Sequence, residues 1–441
     1  MPQTWALTNS KLGIRLEGGK TKYTPGDTVA GHAFRRTATV SPESSVAISL
    51  HGRAKSKTVV QHEHSSTSYR GRWDLVYPAD HVLQLFEGPL HIETDNDEQV
   101  WPFSINLPSH IDPKCVEGRS ESHSFLPLDR ELRLPSTLEL IEWARSKGDG
   151  TCGRMECFIE YWLQAELKIS KNSDVETVEA RLPFTITNPN PEDPNEDFAI
   201  EISGDSFEVR SFRLVPGMED AKLSFPQRMK KKFSFFSSTI PRLSVDMQID
   251  VSSEIQLNGP DSISFKLGLT PDWACSSEIL RGVPQKAKLT WVSLRILTRT
   301  QTICEGKTGD RHVTREKVDE TDLLVWEAIE ALEKELYVPC TEESEAVDIG
   351  EMIDLRIGRH GRIVSDPPKD EVGSLSTGFA TFNIRRTHAL AWGLRGEVAD
   401  RDFSASGEQT LTLIPSDAQP AERDREAEEL EAPIPSLPPM L

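Results

Sequence analysis

The sequence predicts an all-β protein, built as two consecutive antiparallel β-sandwich domains with a tail beyond them. Three observations predict it. Apolar and polar residues alternate over strand-length segments in both halves, Gly/Pro/Asn turn signals separate those segments, and helix-length apolar stripes are almost missing. A strand with one wet face must bury its other face against a second sheet, and many such strands in one chain make sandwiches. At 441 residues the chain exceeds what one hydrophobic core usually serves, so two domains are expected.

The elements follow in order. Leu12, Ile14 and Leu16 alternate with polar neighbours, and Tyr23-Thr24-Pro25-Gly26-Asp27 then reads as a tight turn. Pro25 presets φ at the second position, Gly26 supplies the positive φ of a type II turn, and Asp27 finishes it. Val46, Ile48 and Leu50 form the next apolar face. Trp101, Phe103, Ile105 and Leu107 form another, and Cys157, Ile159, Tyr161, Leu163, Ala165, Leu167 and Ile169 a long third. In the second half Val245, Met247, Ile249 and Val251 oppose Asp246, Gln248, Asp250 and Ser252. Val292, Leu294 and Ile296 repeat the pattern, followed by Leu390, Trp392, Leu394 and Val398, then Leu411 and Leu413. One helix is expected within 321–337: Val325, Ile329, Leu332 and Leu336 share a stripe, Asp322 caps its start and Pro339 stops it.

The boundaries come from composition. A first sandwich is expected over 8–190, an irregular connection over 191–240, a second sandwich over 241–415, and an acidic, Pro-rich disordered tail over 416–441. TNPNPEDPNED at 187–197 and VPGMEDAKLSFPQRMKKKFSFFSS at 215–238 cannot sustain a ladder. The tail has too few apolar residues to fold alone, although Pro435-Ser436-Leu437-Pro438 is a pattern that an SH3-like groove reads.

A net charge of −20 argues against nucleic acid as a partner. The opening MPQTWALTNSKLG lacks a basic segment followed by an apolar run, and no eighteen apolar residues run uninterrupted, so a soluble, cytoplasmic chain is expected. Cys115, Cys152, Cys157, Cys275, Cys304 and Cys340 contain no CxxC pair, which fits reduced thiols. His62 and His64 are spaced to share one strand face, yet their polar surroundings read as a hairpin end. No metal and no cofactor are expected.

No catalytic constellation emerges, and the chain is not expected to be an enzyme. Gly306-Lys307-Thr308 resembles the end of a phosphate-binding loop, but Gln301 stands where the first glycine belongs. The run Glu93-Thr94-Asp95-Asn96-Asp97-Glu98 lacks the central glycine and terminal glutamate of a calcium loop. The local feature with physical promise is Arg228, Lys230, Lys231 and Lys232 beside Phe233, Phe235 and Phe236. Cations interleaved with rings suit an anionic lipid surface, each cation contributing about 1 kcal/mol. Ser234 inside the patch is a candidate phosphorylation site that would release the contact. A solvated segment leading into the next strand explains the same residues.

Taken in order, several stretches resemble the arrestin-like proteins of fungi. Tyr23-Thr24-Pro25-Gly26-Asp27-Thr28-Val29 with Gly31 is similar to that family's opening hairpin, and Val46 to Ala54 to its third strand. Trp101-Pro102-Phe103-Ser104-Ile105-Asn106-Leu107-Pro108 is similar to its F-x-F-x-L-P strand, and Ile159 to Ala165 to its Y-x-L-x-A strand. In the second half Leu223-Ser224-Phe225, Ser237-Ser238, Pro241 and Ile255-Gln256-Leu257 resemble filamentous-fungal members. The resemblance spans about residues 10–415. It implies two immunoglobulin-like, arrestin-type sandwiches acting as an adaptor that brings integral membrane transporters or receptors to ubiquitin ligases and the endocytic machinery. It also implies transient recruitment to plasma membrane or endosomes. Members that recruit a HECT-type ligase directly carry Pro-Pro-x-Tyr. None of Tyr23, Tyr69, Tyr77, Tyr161 and Tyr337 stands in that pattern, which keeps a sorting or signalling scaffold without direct ligase recruitment as the alternative.

Overall fold

The computed structural model describes residues 4–62, 65–95, 97–145, 152–171, 174–188, 203–218, 240–306, 312–342, 345–358, 361–362 and 375–414. The strands are β1 (Gly13–Leu16), β2 (Lys22–Tyr23), β3 (Thr28–Arg35), β4 (Thr39–His62), β5 (Ser65–Val76), β6 (Val82–Ile92), β7 (Gln99–Asn106), β8 (Leu138–Arg145), β9 (Cys152–Lys171) and β10 (Asp174–Ile186). They continue as β11 (Ser203–Arg210), β12 (Arg242–Val251), β13 (Glu254–Gln256), β14 (Phe265–Pro271), β15 (Gln285–Glu305), β16 (His312–Asp322), β17 (Tyr337–Cys340) and β18 (Val347–Asp348). The last are β19 (Ile357–Gly358), β20 (Gly361–Arg362), β21 (Phe379–Ala380), β22 (Ile384–Val398) and β23 (Arg401–Ile414). The expected all-β sandwich architecture is what the chain adopts.

The chain divides into two compact units. The first takes residues 1–194 together with 299–318 and 378–387; the second takes the remainder. In the first, a small sheet ordered β1–β3–β7 faces a larger one whose spine is β4. One edge of β4 carries β6 and then β5; the other carries β9 along most of its length, and β9 in turn carries β8 and β10. Between the sheets lie the alternating residues named above: Leu12, Ile14, Val46, Ile48, Leu50, Trp101, Phe103, Ile105, Ile159, Leu163 and Leu167 are all buried. From the second half of the chain, Phe382 stacks on Trp73 at 4.8 Å, and the Ser56 hydroxyl donates to the Ile303 carbonyl at 2.7 Å.

In the second unit, β12 pairs with β11 and β14, while β15, β22 and β23 form a second antiparallel ladder that β13 joins in parallel. Val245, Met247, Ile249, Leu294, Leu390, Trp392 and Leu411 fill its core.

The opening turn forms as its residues dictate. Gly26 has φ +90°, the Asp27 N–H donates to the Thr24 carbonyl at 3.0 Å, and the Asp27 carboxylate accepts from the Thr24 N–H and hydroxyl at 2.9 Å each. The helix within 321–337 is shorter than its stripe suggests. It covers Val325–Glu330, because Leu324 sits in the left-handed region at φ 49° and Tyr337–Cys340 is drawn into pairing with β15. Asp322 does act at its start, but its carboxylate accepts from the Leu324 N–H, before the first turn.

Candidate functional site

The expected patch at 228–236 lies outside the described residues, as do most of 187–197, most of 215–238, and 416–441. The acidic run 93–98 stands between β6 of the large sheet and β7 of the small one, and its described residues are engaged locally. Glu98 pairs with Arg15 at 2.6 Å and with Arg36 at 2.8 Å, and Asp97 accepts from the Thr94 N–H. Among the described residues no cluster of three His, Cys, Asp or Glu is placed to hold a metal, and no helix is long and apolar enough to cross a membrane. Cys115, Cys157, Cys275, Cys304 and Cys340 are unpaired thiols. Burial pushes Cys115, Cys157 and Cys340 up to about 12, so none of those three is a thiolate near neutral pH.

What the structure assembles instead is a charged face on the first unit's large sheet. Period-2 geometry that sends Ala54, Ser56 and Thr58 of β4 inward sends Arg53, Lys55 and Lys57 outward. Register places Asp74, Arg72 and Arg70 of β5 opposite these three on one side, and Glu160, Phe158 and Glu156 of β9 opposite them on the other. Glu139 of β8 lies beyond Phe158, and Arg154 of β9 stands opposite Val59. Arg53, Lys55, Lys57, Arg70, Arg72 and Arg154 thus face Asp74, Glu139, Glu156 and Glu160. The excess is two positive charges on a chain whose net charge is −20.

The centre of this face is buried. The side chains of Lys55 and Glu160 are 5% and 7% exposed and pair at 2.9 Å, while Arg53 Nε reaches Glu160 Oε2 at 3.0 Å. Burial alone would raise the Glu160 carboxyl. The hydrogen bonds and charges of Lys55 and Arg53 outweigh that and hold it below the ordinary carboxylate range. For Lys55 the balance reverses: burial lowers the ammonium below the usual lysine range despite Glu160. Aromatic rings floor the cluster. Lys55 Nζ lies 5.1 Å from the Phe158 ring centre, and Arg53 lies 4.7 Å above Trp162, on which His51 stacks at 4.9 Å. Lys57 and Arg154 approach Glu156 at 3.5 and 3.0 Å. Arg70 and Arg72 are exposed at the rim.

The second unit offers a weaker candidate. An open cleft of about 710 Å³ is lined by Arg213, Lys286, Lys288, Tyr337, Pro339, Glu397 and Asp400 among others. Its cations are engaged locally: Arg213 pairs with Asp400, Lys288 pairs with Glu335, and Lys286 lies 4.1 Å from the Tyr337 ring centre.

Sequence reasoning passed over the charged face. Its signal was the alternation Arg53-x-Lys55-x-Lys57 and Glu156-x-Phe158-x-Glu160-x-Trp162, charges and rings standing on the phase opposite to the core residues. The chain matches no protein-family model, and no curated protein matches it.

Proposed function

We propose that this chain is a non-enzymatic, cytoplasmic adaptor of the arrestin-like kind that links membrane transporters or receptors to ubiquitination and endocytosis. The observation that carries the reading is the cationic outer face of β5, β4 and β9. On a strongly acidic protein, an extended acidic segment of a cargo has a local place to dock, drawn by Arg70, Arg72 and Lys57 at the rim. The ordered resemblance to fungal arrestin-like proteins supports the same reading. The rival, a sorting or signalling scaffold that recruits no ligase directly, is supported by the five tyrosines, none of which follows Pro-Pro-x. The lysine-rich segment 228–232 is the proposed contact with anionic lipid.

The test is proximity labelling in living cells with the full chain and a variant carrying Lys57→Gln, Arg70→Gln and Arg72→Gln. Membrane transporters or receptors should be labelled by the wild type and lost from the variant. Equal labelling by both would overturn the face as the cargo site. Co-purification of a HECT-type ligase separates the adaptor from the scaffold.

A further inference from the structure

The first unit is made from three separate stretches of chain. Residues 299–318 and 378–387 belong to it although residues 195–298 of the second unit intervene. They are held at a site centred on Ser56 of β4. Its hydroxyl donates to the Ile303 carbonyl of β15 at 2.7 Å and accepts from the Asn383 carboxamide nitrogen at 3.0 Å, while the Ile303 N–H donates to the Asn383 carbonyl at 2.9 Å. These bonds close a ring through three stretches of chain, and Ser56 and Asn383 are both 0% exposed. In so dry a place each bond is strong when made and costly when one member is missing.

Gly71, the cross-strand partner of Ser56 on β5, makes the room. A Cβ on Gly71 would stand 2.5 Å from the Ser56 hydroxyl oxygen, 2.8 Å from the Ile303 carbonyl oxygen and 3.3 Å from the Asn383 carboxamide nitrogen. Glycine serves here for close approach of another backbone. Around it Phe382 stacks on the buried Trp73 at 4.8 Å, the Phe125 N–H donates to the Phe382 carbonyl at 2.8 Å, and Glu305 takes a ladder position opposite Arg70. The turn that presents Asn383 is fixed on its own account: the Thr381 N–H donates to the Ile384 carbonyl at 2.7 Å and the Thr381 hydroxyl accepts from the Ile384 N–H at 3.0 Å.

We infer that residues 1–194 carry a binding slot for the second half of the chain, with Ser56 and Gly71 as its floor and residues 303–305 and 381–384 as its ligand. The partner that fits is an extended segment beside a tight turn. The segment supplies a main-chain carbonyl and N–H at one residue, and the turn supplies a carboxamide next to an aromatic ring. The two halves of the chain are therefore a binding pair, and cutting the connection between them does not part them. The inference is independent of the docking role given to the charged face.

The experiment uses the full chain with a protease recognition sequence inserted between Pro194 and Asn195, where the first stretch of the first unit ends. After cleavage the two pieces should elute together from a gel-filtration column and separate in urea. With a fluorescent label on one piece, dilution gives their Kd. Gly71→Ala should raise that Kd by about ten- to hundredfold, because two of the three groups it meets are fixed in the ring. Gly268→Ala in β14 is the control: its new Cβ would lie 3.6 Å from the Ala346 Cβ, an ordinary contact, and the Kd should stay as in wild type. Separate elution of the wild-type pieces would overturn the slot. Equal Kd for wild type and Gly71→Ala would also overturn it, since the pieces would then be held elsewhere. Should Gly71→Ala not fold before cleavage, Asn383→Ala makes the same comparison, with about a tenfold rise expected from the lost carboxamide donor and an unchanged Kd overturning the slot.

Discussion

Each unit lays an arginine over a tryptophan on the outer side of a long strand pair. In the first it is Arg53 over Trp162 at 4.7 Å, in the second Arg395 over Trp291 at 4.8 Å. The local device is the same, but its surroundings differ. Arg53 belongs to an ion cluster whose central members Lys55 and Glu160 are almost fully buried. Arg395 is exposed, and nearby pairs in its unit, Lys288 with Glu335 and Arg295 with Glu320, keep much of their surface in water. Burial is what separates the two. Exposed pairs trade one solvated state for another, whereas a buried pair cannot lose one member without stranding the other.

The largest effect should come from breaking that contrast at its centre. Glu160→Gln leaves Lys55 and Arg53 without their carboxylate and should destabilise the first unit by about 3–5 kcal/mol. Urea unfolding followed by a probe in that unit checks it, and a loss below about 1 kcal/mol would reduce the cluster to an ordinary surface network.

Acid should reach the same cluster without mutation. Folding holds the Glu160 carboxyl below its ordinary value of 4.5. Its contribution is therefore complete at neutral pH and is lost as pH falls below 4.5 and through the lowered folded value. Melting temperature against pH should fall more steeply in this window for wild type than for Glu160→Gln; parallel curves would mean that other carboxylates carry the acid response.

Smaller effects sharpen the comparison. Asp27→Ala removes two acceptors from the Thr24 turn and should cost about 1 kcal/mol, measured by the same urea titration. Arg295→Ala in the second unit should cost about 0.2–1 kcal/mol, and salt should erase most of it.

The inward faces of both units were legible in the sequence because burial imposes a period of two on apolar residues, as Val46-x-Ile48-x-Leu50 and Val245-x-Met247-x-Ile249 show. The outward face was not. Alternate charges are what any solvated strand face displays, and only the cross-strand register reveals that Lys55 and Glu160, far apart in sequence, meet and lose water together. The helix stripe misled for a related reason. Leu336 belongs to it by spacing, but its carbonyl accepts from the Leu289 N–H and the residues after it complete a sheet.

The pairing of β4 with β9 also has a consequence during synthesis. Arg53 and Glu160 are 107 residues apart. A ribosome adding about 5–20 residues per second needs roughly 5–20 s to supply the second after the first. For that interval β4 has made its core face and its cations but has no β9 to cover the edge it will share. β5 and β6, translated immediately after it, can pair with its other edge and leave the β9 side as the one open ladder. The basic residues Arg53, Lys55 and Lys57 beside that edge then serve the nascent chain before they serve any partner: like charges on neighbouring ribosomes' products discourage two unfinished copies from pairing with each other.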